Sequence, residues 1–383
     1  MIVRAGMFYD GTLDAPRRNV DIQIADGKIV ALRDAGGAAD REAACVTPGL
    51  VNAHVHLEMG GEADTMGAYR NTTPTQRMLR AVEHAGKSLR AGVTTVRDVG
   101  ASEKISIDLR DAIDAGSIAG PRISAAGTVL CMTGGHGWFV GRAVDGPWDA
   151  RKAVREQRWH GADCIKLIAT GGVLTKGAVP GTAQLTEEEM AAACLEAHAH
   201  DMRVAAHAIG TSGIKNALRA GVNSIEHGHM LDDEAIALFK ERGAYLVPTL
   251  TAPTCILEHA HDGGQPDFVI RKATEINKHM LRNIKHAYDA GVKIAGGSDA
   301  GTPFNLHERY AYEVQLMHTM LGMTPQQALH AATSVAAELI GIHRGILAPG
   351  EPADLLLLDR DIAATLAPLD RPQAVLKAGT FVK

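Results

Sequence analysis

Two histidines one residue apart, His54-Val55-His56, close an apolar run, and the period-two alternation of a strand points both imidazoles the same way. Two neutral imidazoles one strand repeat apart suit a single metal ion. Four more polar residues sit in or end apolar runs of the same kind. They are Lys166 in Cys164-Ile165-Lys166-Leu167-Ile168, His207 after Val204-Ala205-Ala206, His227 after Ser224-Ile225-Glu226, and Asp299 after Ile294-Ala295-Gly296-Gly297-Ser298. Desolvation of Lys166 opposes its charged form and favours a nucleophilic amine. Such an amine can take up carbon dioxide, giving a carbamate whose two oxygens could bridge two cations; a lysine paired to Asp299 fits the spacing equally well. The Asp299 carboxylate could ligate a metal, accept the proton of a metal-bound water and pass it to a leaving amine. His136, in the glycine-rich loop Thr133-Gly134-Gly135-His136-Gly137, stands where a donor could reach a substrate carbonyl or its tetrahedral intermediate, or else is a solvated loop residue.

Positioning these groups takes strands that end at one rim. Eight apolar runs qualify, at residues 50–56, 94–99, 122–127, 164–170, 203–208, 224–228, 245–250 and 293–299, and the stretches between them read as helices. Met78, Leu79, Val82, Ala85 and Leu89 repeat at helical spacing across 75–91, Thr186-Glu187-Glu188-Glu189 is a capping box, and Gly221 and Gly291 each end a helix just before a strand. Eight parallel strand–helix units predict an α/β fold, a closed (β/α)8 TIM barrel over residues 48–345, with active groups at the carboxyl ends of its strands. No G-x-G-x-x-G or P-loop motif follows the first strand, which counts against a nucleotide-binding sheet. Residues 1–47 and 346–383 alternate short apolar stretches with turn signals such as Asp10-Gly11, Asp26-Gly27 and Gly379-Thr380. Neither group can bury a core alone, so the two are expected to pair in one small composite β-sandwich domain.

The composition agrees with that plan. With 46% hydrophobic residues but only 3 Trp, 6 Tyr and 6 Phe among 383, the core is aliphatic, and disorder is excluded. A net charge of −5 without a basic run argues against nucleic acid as partner. Five scattered cysteines, never in C-x-x-C spacing, point to reduced residues of a cytoplasmic protein rather than to a disulfide framework or a zinc ribbon. No apolar run of about 18 residues and no leader pattern occurs, so neither membrane spanning nor secretion is expected.

Several segments taken together resemble the amidohydrolase superfamily of metal-dependent hydrolases. They include Pro48-Gly49-Leu50-Val51-Asn52-Ala53-His54-Val55-His56, Ala91-Gly92-Val93-Thr94-Thr95-Val96-Arg97-Asp98, Gly161-Ala162-Asp163-Cys164-Ile165-Lys166, Thr170-Gly171-Gly172-Val173, Ile225-Glu226-His227, Val247-Pro248-Thr249-Leu250 and the tail Leu347-Ala348-Pro349-Gly350-Glu351-Pro352-Ala353-Asp354-Leu355. The resemblance is to the imidazolonepropionase-related branch that includes Xaa-Pro dipeptidases and metallocarboxypeptidases. It implies that His54, His56 and Asp299 hold the more buried of two divalent ions, that His207 and His227 hold the other, and that carboxylated Lys166 and a hydroxide bridge them. The ions would be Zn2+, given N and O ligands and no redox requirement. The implied reaction is hydrolysis of the amide of a dipeptide or N-acyl amino acid, with Asp299 and His136 as catalytic residues, in a homo-oligomer acting on a small-molecule substrate.

A mononuclear deaminase of the same superfamily is one alternative, although the position three residues beyond His207, where such enzymes keep a glutamate, is Gly210. Another is the same metal centre acting on a lactone, carbamate or phosphoester; a non-catalytic scaffold would be expected to lack ligands that are all present here. His229 reads as a residue behind the ligands or a solvated one, Arg70 to Arg77 as a solvated helix start or a carboxylate site, and His198 and His200 as surface residues.

Overall fold

A computed structural model describes residues 1–382. Eight parallel barrel strands appear at Leu50–Val55, Val93–Asp98, Arg122–Ala125, Cys164–Ile168, Arg203–Ala208, Ser224–His227, Tyr245–Val247 and Lys293–Ile294. They run in chain order around two ladders, one of strands one to three and one of strands four to eight. The ladders join on both sides. Asp163 N donates to Ala125 O at 2.8 Å on one, and on the other Ala53 N donates to Gly296 O and Asp299 N to His54 O, each at 2.9 Å. Two short parallel strands, Val129–Cys131 and Gly141–Ala143, extend strand four's ladder within the loop after strand three.

Strand eight is shorter than its apolar run predicts. Regular pairing stops at Ile294, and the chain continues through Gly296 and Gly297, where a Cβ on Gly297 would meet Val247 Cγ1 at 2.5 Å and His54 N at 3.0 Å. The close approach that closes the barrel therefore requires glycine and breaks the ladder.

The helices follow their sequence signals. Thr73 caps Pro74–Arg90 in a capping box with Gln76, and Thr186 does the same for Glu187–His198 with Glu189. Gly221 ends Thr211–Ala220 at φ +96°, a backbone conformation that glycine adopts without a Cβ penalty. No helix is long and apolar enough to cross a membrane among the described residues.

The remaining strands form one mostly antiparallel seven-stranded sheet in the order Thr380–Phe381, Ala374–Lys377, Leu355–Leu358, Arg41–Pro48, Ile2–Phe8, Arg17–Ala25, Lys28–Asp34. Segments far apart in sequence thus meet where Leu355–Leu358 pairs with Arg41–Pro48. Val3, Ala5, Val20, Ile22, Leu355 and Leu357 belong to a core separate from the main barrel core. A single residue, Gly49, separates Arg41–Pro48 from barrel strand one. Any Cβ there would collide with the Thr94 side chain, so the sheet is coupled tightly to the strand that carries His54 and His56.

Candidate metal centre and active site

His54, His56 and Asp299 each offer a ligand atom, and the three atoms lie within 4.8 Å of one another. Asp299 Oδ1 stands 3.3 Å from His54 Nε2 and 3.4 Å from His56 Nε2. Their other ring nitrogens are held: His54 Nδ1 by Glu226 Oε2 and His56 Nδ1 by the Gly100 carbonyl, both at 2.8 Å. A histidine fixed in this way presents one nitrogen in one orientation, as metal ligation demands. Burial resists charge on Asp299, but the surrounding imidazoles outweigh it and hold the carboxyl well below its ordinary range.

His207 and His227 reach the same rim from strands five and six, with ring centroids 4.6 Å apart, and His227 lies 5.3 Å from His54. His227 Nδ1 pairs with Thr249 Oγ1 at 2.8 Å, and His207 Nε2 with the Gly171 carbonyl at 3.2 Å. Burial pushes both well below the usual imidazole range, leaving neutral nitrogens with free lone pairs. Three residues around this rim adopt left-handed backbone without being glycine: His227 at φ +73°, Thr249 at +49° and Asp299 at +60°. Such strain persists only where the surroundings enforce it, and it is concentrated here at the residues that form or brace the cluster.

Lys166 is 2% exposed and lines the same cavity. Desolvation pulls its amine down to about 8, against the opposing pull of Glu226 and Asp299. It makes no ion pair or hydrogen bond among the described residues, so the pairing with Asp299 that its spacing allowed does not form. His136 lies 4.5 Å from His207, ring to ring, and its Nδ1 pairs with Thr175 Oγ1 at 2.8 Å. Burial first, then Lys272, lowers it to about 3, so it is neutral in the working range.

The structure thus gathers all seven residues singled out in the sequence, His54, His56, His136, Lys166, His207, His227 and Asp299, around one cavity with about 840 Å³ of atom-free space, part of it open to solvent. Its remaining wall is largely aliphatic. His229 also lines it and is buried rather than solvated, with burial pushing it down to about 4 against the nearby Pro248 carbonyl. Arg70 and Arg77 lie outside the cavity, against the rings of Trp138 and Tyr69. His198 pairs with Asn223 and His200 approaches Glu196, both away from the cavity.

Sequence reasoning missed the group behind His54. Glu226 Oε1 accepts from Arg97 Nη2 at 2.9 Å and from Ser224 Oγ at 2.6 Å, while Arg97 Nε donates to Ala53 O at 2.7 Å. Strands one, two and six are joined by this ion pair inside the barrel, with Arg97 1% and Glu226 0% exposed. Arg97 and His54 overcome the cost of burial and hold Glu226 at about 2, so a permanent anion fixes the His54 tautomer. An arginine in one buried apolar run and a glutamate in another were the available signal.

Residues 45–382 match the model of the amidohydrolase family. The chain belongs to this family. It is 30% identical over 419 aligned residues to the ochratoxinase of Aspergillus niger, covering 98% of this chain and 84% of that one. Among solved structures, a Xaa-Pro dipeptidase with methionine bound in its active site superposes with a TM-score of 0.91 at 33% identity, covering 99% of this chain and 98% of the other. A prolidase complexed with N-methylphosphonate-L-proline gives 0.91 at 29% identity over the whole of both chains. The protein is a hydrolase acting on carbon–nitrogen bonds, in a family whose members use divalent metals and small-molecule substrates.

Proposed function

We propose that the protein is a binuclear, metal-dependent amidohydrolase that cleaves the amide of a dipeptide or N-acyl amino acid. The observation that carries this reading is Lys166, a buried amine without a protein partner, standing among four anchored histidines and Asp299 around one cavity. The donor set fits divalent cations: neutral imidazoles and a carboxylate, N and O only, match Zn2+. His54, His56 and Asp299 would hold one ion and His207 and His227 the other. Lys166 would bridge them after its amine adds to carbon dioxide and releases a proton.

Bound cations supply Lewis acidity and a nucleophilic water at neutral pH. The chain's own groups do the rest. Asp299, held ionised by its histidine neighbours, takes the proton of the attacking water and delivers it to the leaving nitrogen. His136 Nδ1 pairs with the Thr175 hydroxyl; in the tautomer where that hydroxyl donates, Nε2 carries the proton and would offer it to the substrate carbonyl oxygen as charge develops. The apolar wall excludes water and strengthens both interactions.

Metal analysis is expected to give two ions per chain, and Lys166→Ala to lose at least one ion together with most hydrolysis. A fully active Lys166→Ala enzyme would refute the bridging role. The deaminase alternative is disfavoured at Gly210, where any side chain would collide with the backbone of Gly181. Lactones and phosphoesters serve as controls beside dipeptides and N-acyl amino acids; turnover of those controls alone would replace the amide reading.

A further inference from the structure

Five imidazoles of the cavity, those of His54, His56, His136, His207 and His227, each have one ring nitrogen bonded to another group of the protein. His229 does not. Two successive left-handed residues, His227 and Gly228 at φ +73° and +63°, turn the chain so that its ring lines the same cavity, 5.6 Å from that of His227. The residue is 3% exposed, and neither Nδ1 nor Nε2 makes a well-formed hydrogen bond among the described residues, the Pro248 carbonyl standing near without the required geometry. Lack of an anchoring bond argues against a role as cation ligand. Burial without a well-formed hydrogen bond carries a desolvation cost, and a ligand able to accept from the ring N–H would relieve that nitrogen's share of it.

The chemistry of that ligand follows from what else the wall offers. Dipeptides and N-acyl amino acids both end in a carboxylate. Among the described residues no arginine lines the cavity, its lysine is Lys166, and the Thr302 hydroxyl is spent on the Asp299 carbonyl at 2.8 Å. Ile209, Pro253, Ile256 and Ile276 of the same wall have no polar side-chain atoms. With His136 directed to the scissile carbonyl, His229 is the donor left for the carboxylate. We propose that His229 donates a hydrogen bond to the carboxylate of the leaving amino acid, and so selects amides of α-amino acids over amides lacking that group. The inference rests on the amidohydrolase reading above, because it takes the substrate from it.

The test compares an N-acyl phenylalanine with the corresponding N-acyl phenylalaninamide, which lacks only the carboxylate charge. Wild-type protein is expected to favour the acid in kcat/KM, chiefly through KM. In His229→Phe, which keeps an aromatic ring without the donor, that preference is expected to fall by about ten- to a hundredfold, the range of a lost hydrogen bond to a charged group. His229→Gln, which retains an N–H, is expected to restore part of it. A second readout needs no cations: calorimetric affinity of the metal-free protein for the N-acyl phenylalanine is expected to fall in His229→Phe and recover in His229→Gln. Unchanged discrimination in His229→Phe, equal losses in both variants, or loss of a metal ion from either would overturn the proposal. Wild-type protein that binds the acid through His229 yet cleaves no amide would support this inference and defeat the hydrolytic reading alone.

Discussion

A Cβ on Gly172 would collide with the ring of His136, so the absence of a side chain there sets where that imidazole stands. If His136 acts as proposed, Gly172→Ala is expected to displace its ring and lower kcat by about a hundredfold, the cost of one oxyanion donor, with metal content unchanged. Steady-state kinetics beside metal analysis checks this, and a variant with wild-type kcat would remove His136 from the reaction. At this scale the sequence was most legible where a polar residue interrupts or ends an apolar run. His54, His56, Lys166 and His207 announce themselves in that way, because burial of such groups demands a partner. Glu226, beside His227 in the same apolar run, carries a weaker mark of this kind. Strand alternation sends Ser224 and Glu226 into the barrel, where they meet Arg97, and His227 would point the other way had its φ of +73° not redirected it. No local propensity marks a left-handed histidine, since the strain is imposed by the surroundings.

The segment that braces His227 is itself clamped by a helix from elsewhere in the chain. Glu313, on Tyr310–Leu321, accepts from Leu250 N at 2.9 Å, Thr251 N at 2.7 Å and Thr251 Oγ1 at 2.6 Å, just beyond Thr249. Burial lifts its carboxyl to about 7 against those hydrogen bonds. The unfolded chain releases this proton near 4.5 and the folded one near 7, so between those values the folded state binds more protons and stability falls as pH rises. The loss reaches ~3 kcal/mol above pH 7. Glu313→Gln cannot ionise, and chemical denaturation at pH 4.5 and 7 is expected to show that slope flattened by about this amount; an unchanged slope would mean the carboxyl ionises normally. Elements announced by caps were read well from sequence, as Thr186 with Glu189 shows. Strand eight is shorter than its apolar run predicts because that run does not reveal that Gly297 must give way to His54. The two short strands after strand three leave no signal in the sequence, because three residues are too few to show a period.

Across the whole molecule, the barrel and the terminal sheet depend on each other through Arg41–Pro48, which pairs with Leu355–Leu358 and runs through Gly49 into the strand bearing His54. Removal of residues 346–382 would strip Leu347, Leu355, Leu357 and Leu376 from a buried core. At about 2–5 kcal/mol for each large aliphatic side chain, the combined loss is as large as the ~5–15 kcal/mol that holds a domain folded. The truncated protein is expected to be insoluble on expression, and a soluble truncation with the metal content and activity of the full chain would show the barrel to be self-sufficient. The paired segments were recognisable as strands, and their pairing followed from neither being able to hide its apolar face alone. The order of synthesis then matters. Arg41–Pro48 leaves the ribosome with one edge open, and its partner follows roughly three hundred residues later, about 15–60 s at ordinary elongation rates. Throughout that interval the nascent polypeptide displays an unsatisfied β edge next to the strand that carries His54 and His56, a natural target for a chaperone and a hazard on crowded polysomes.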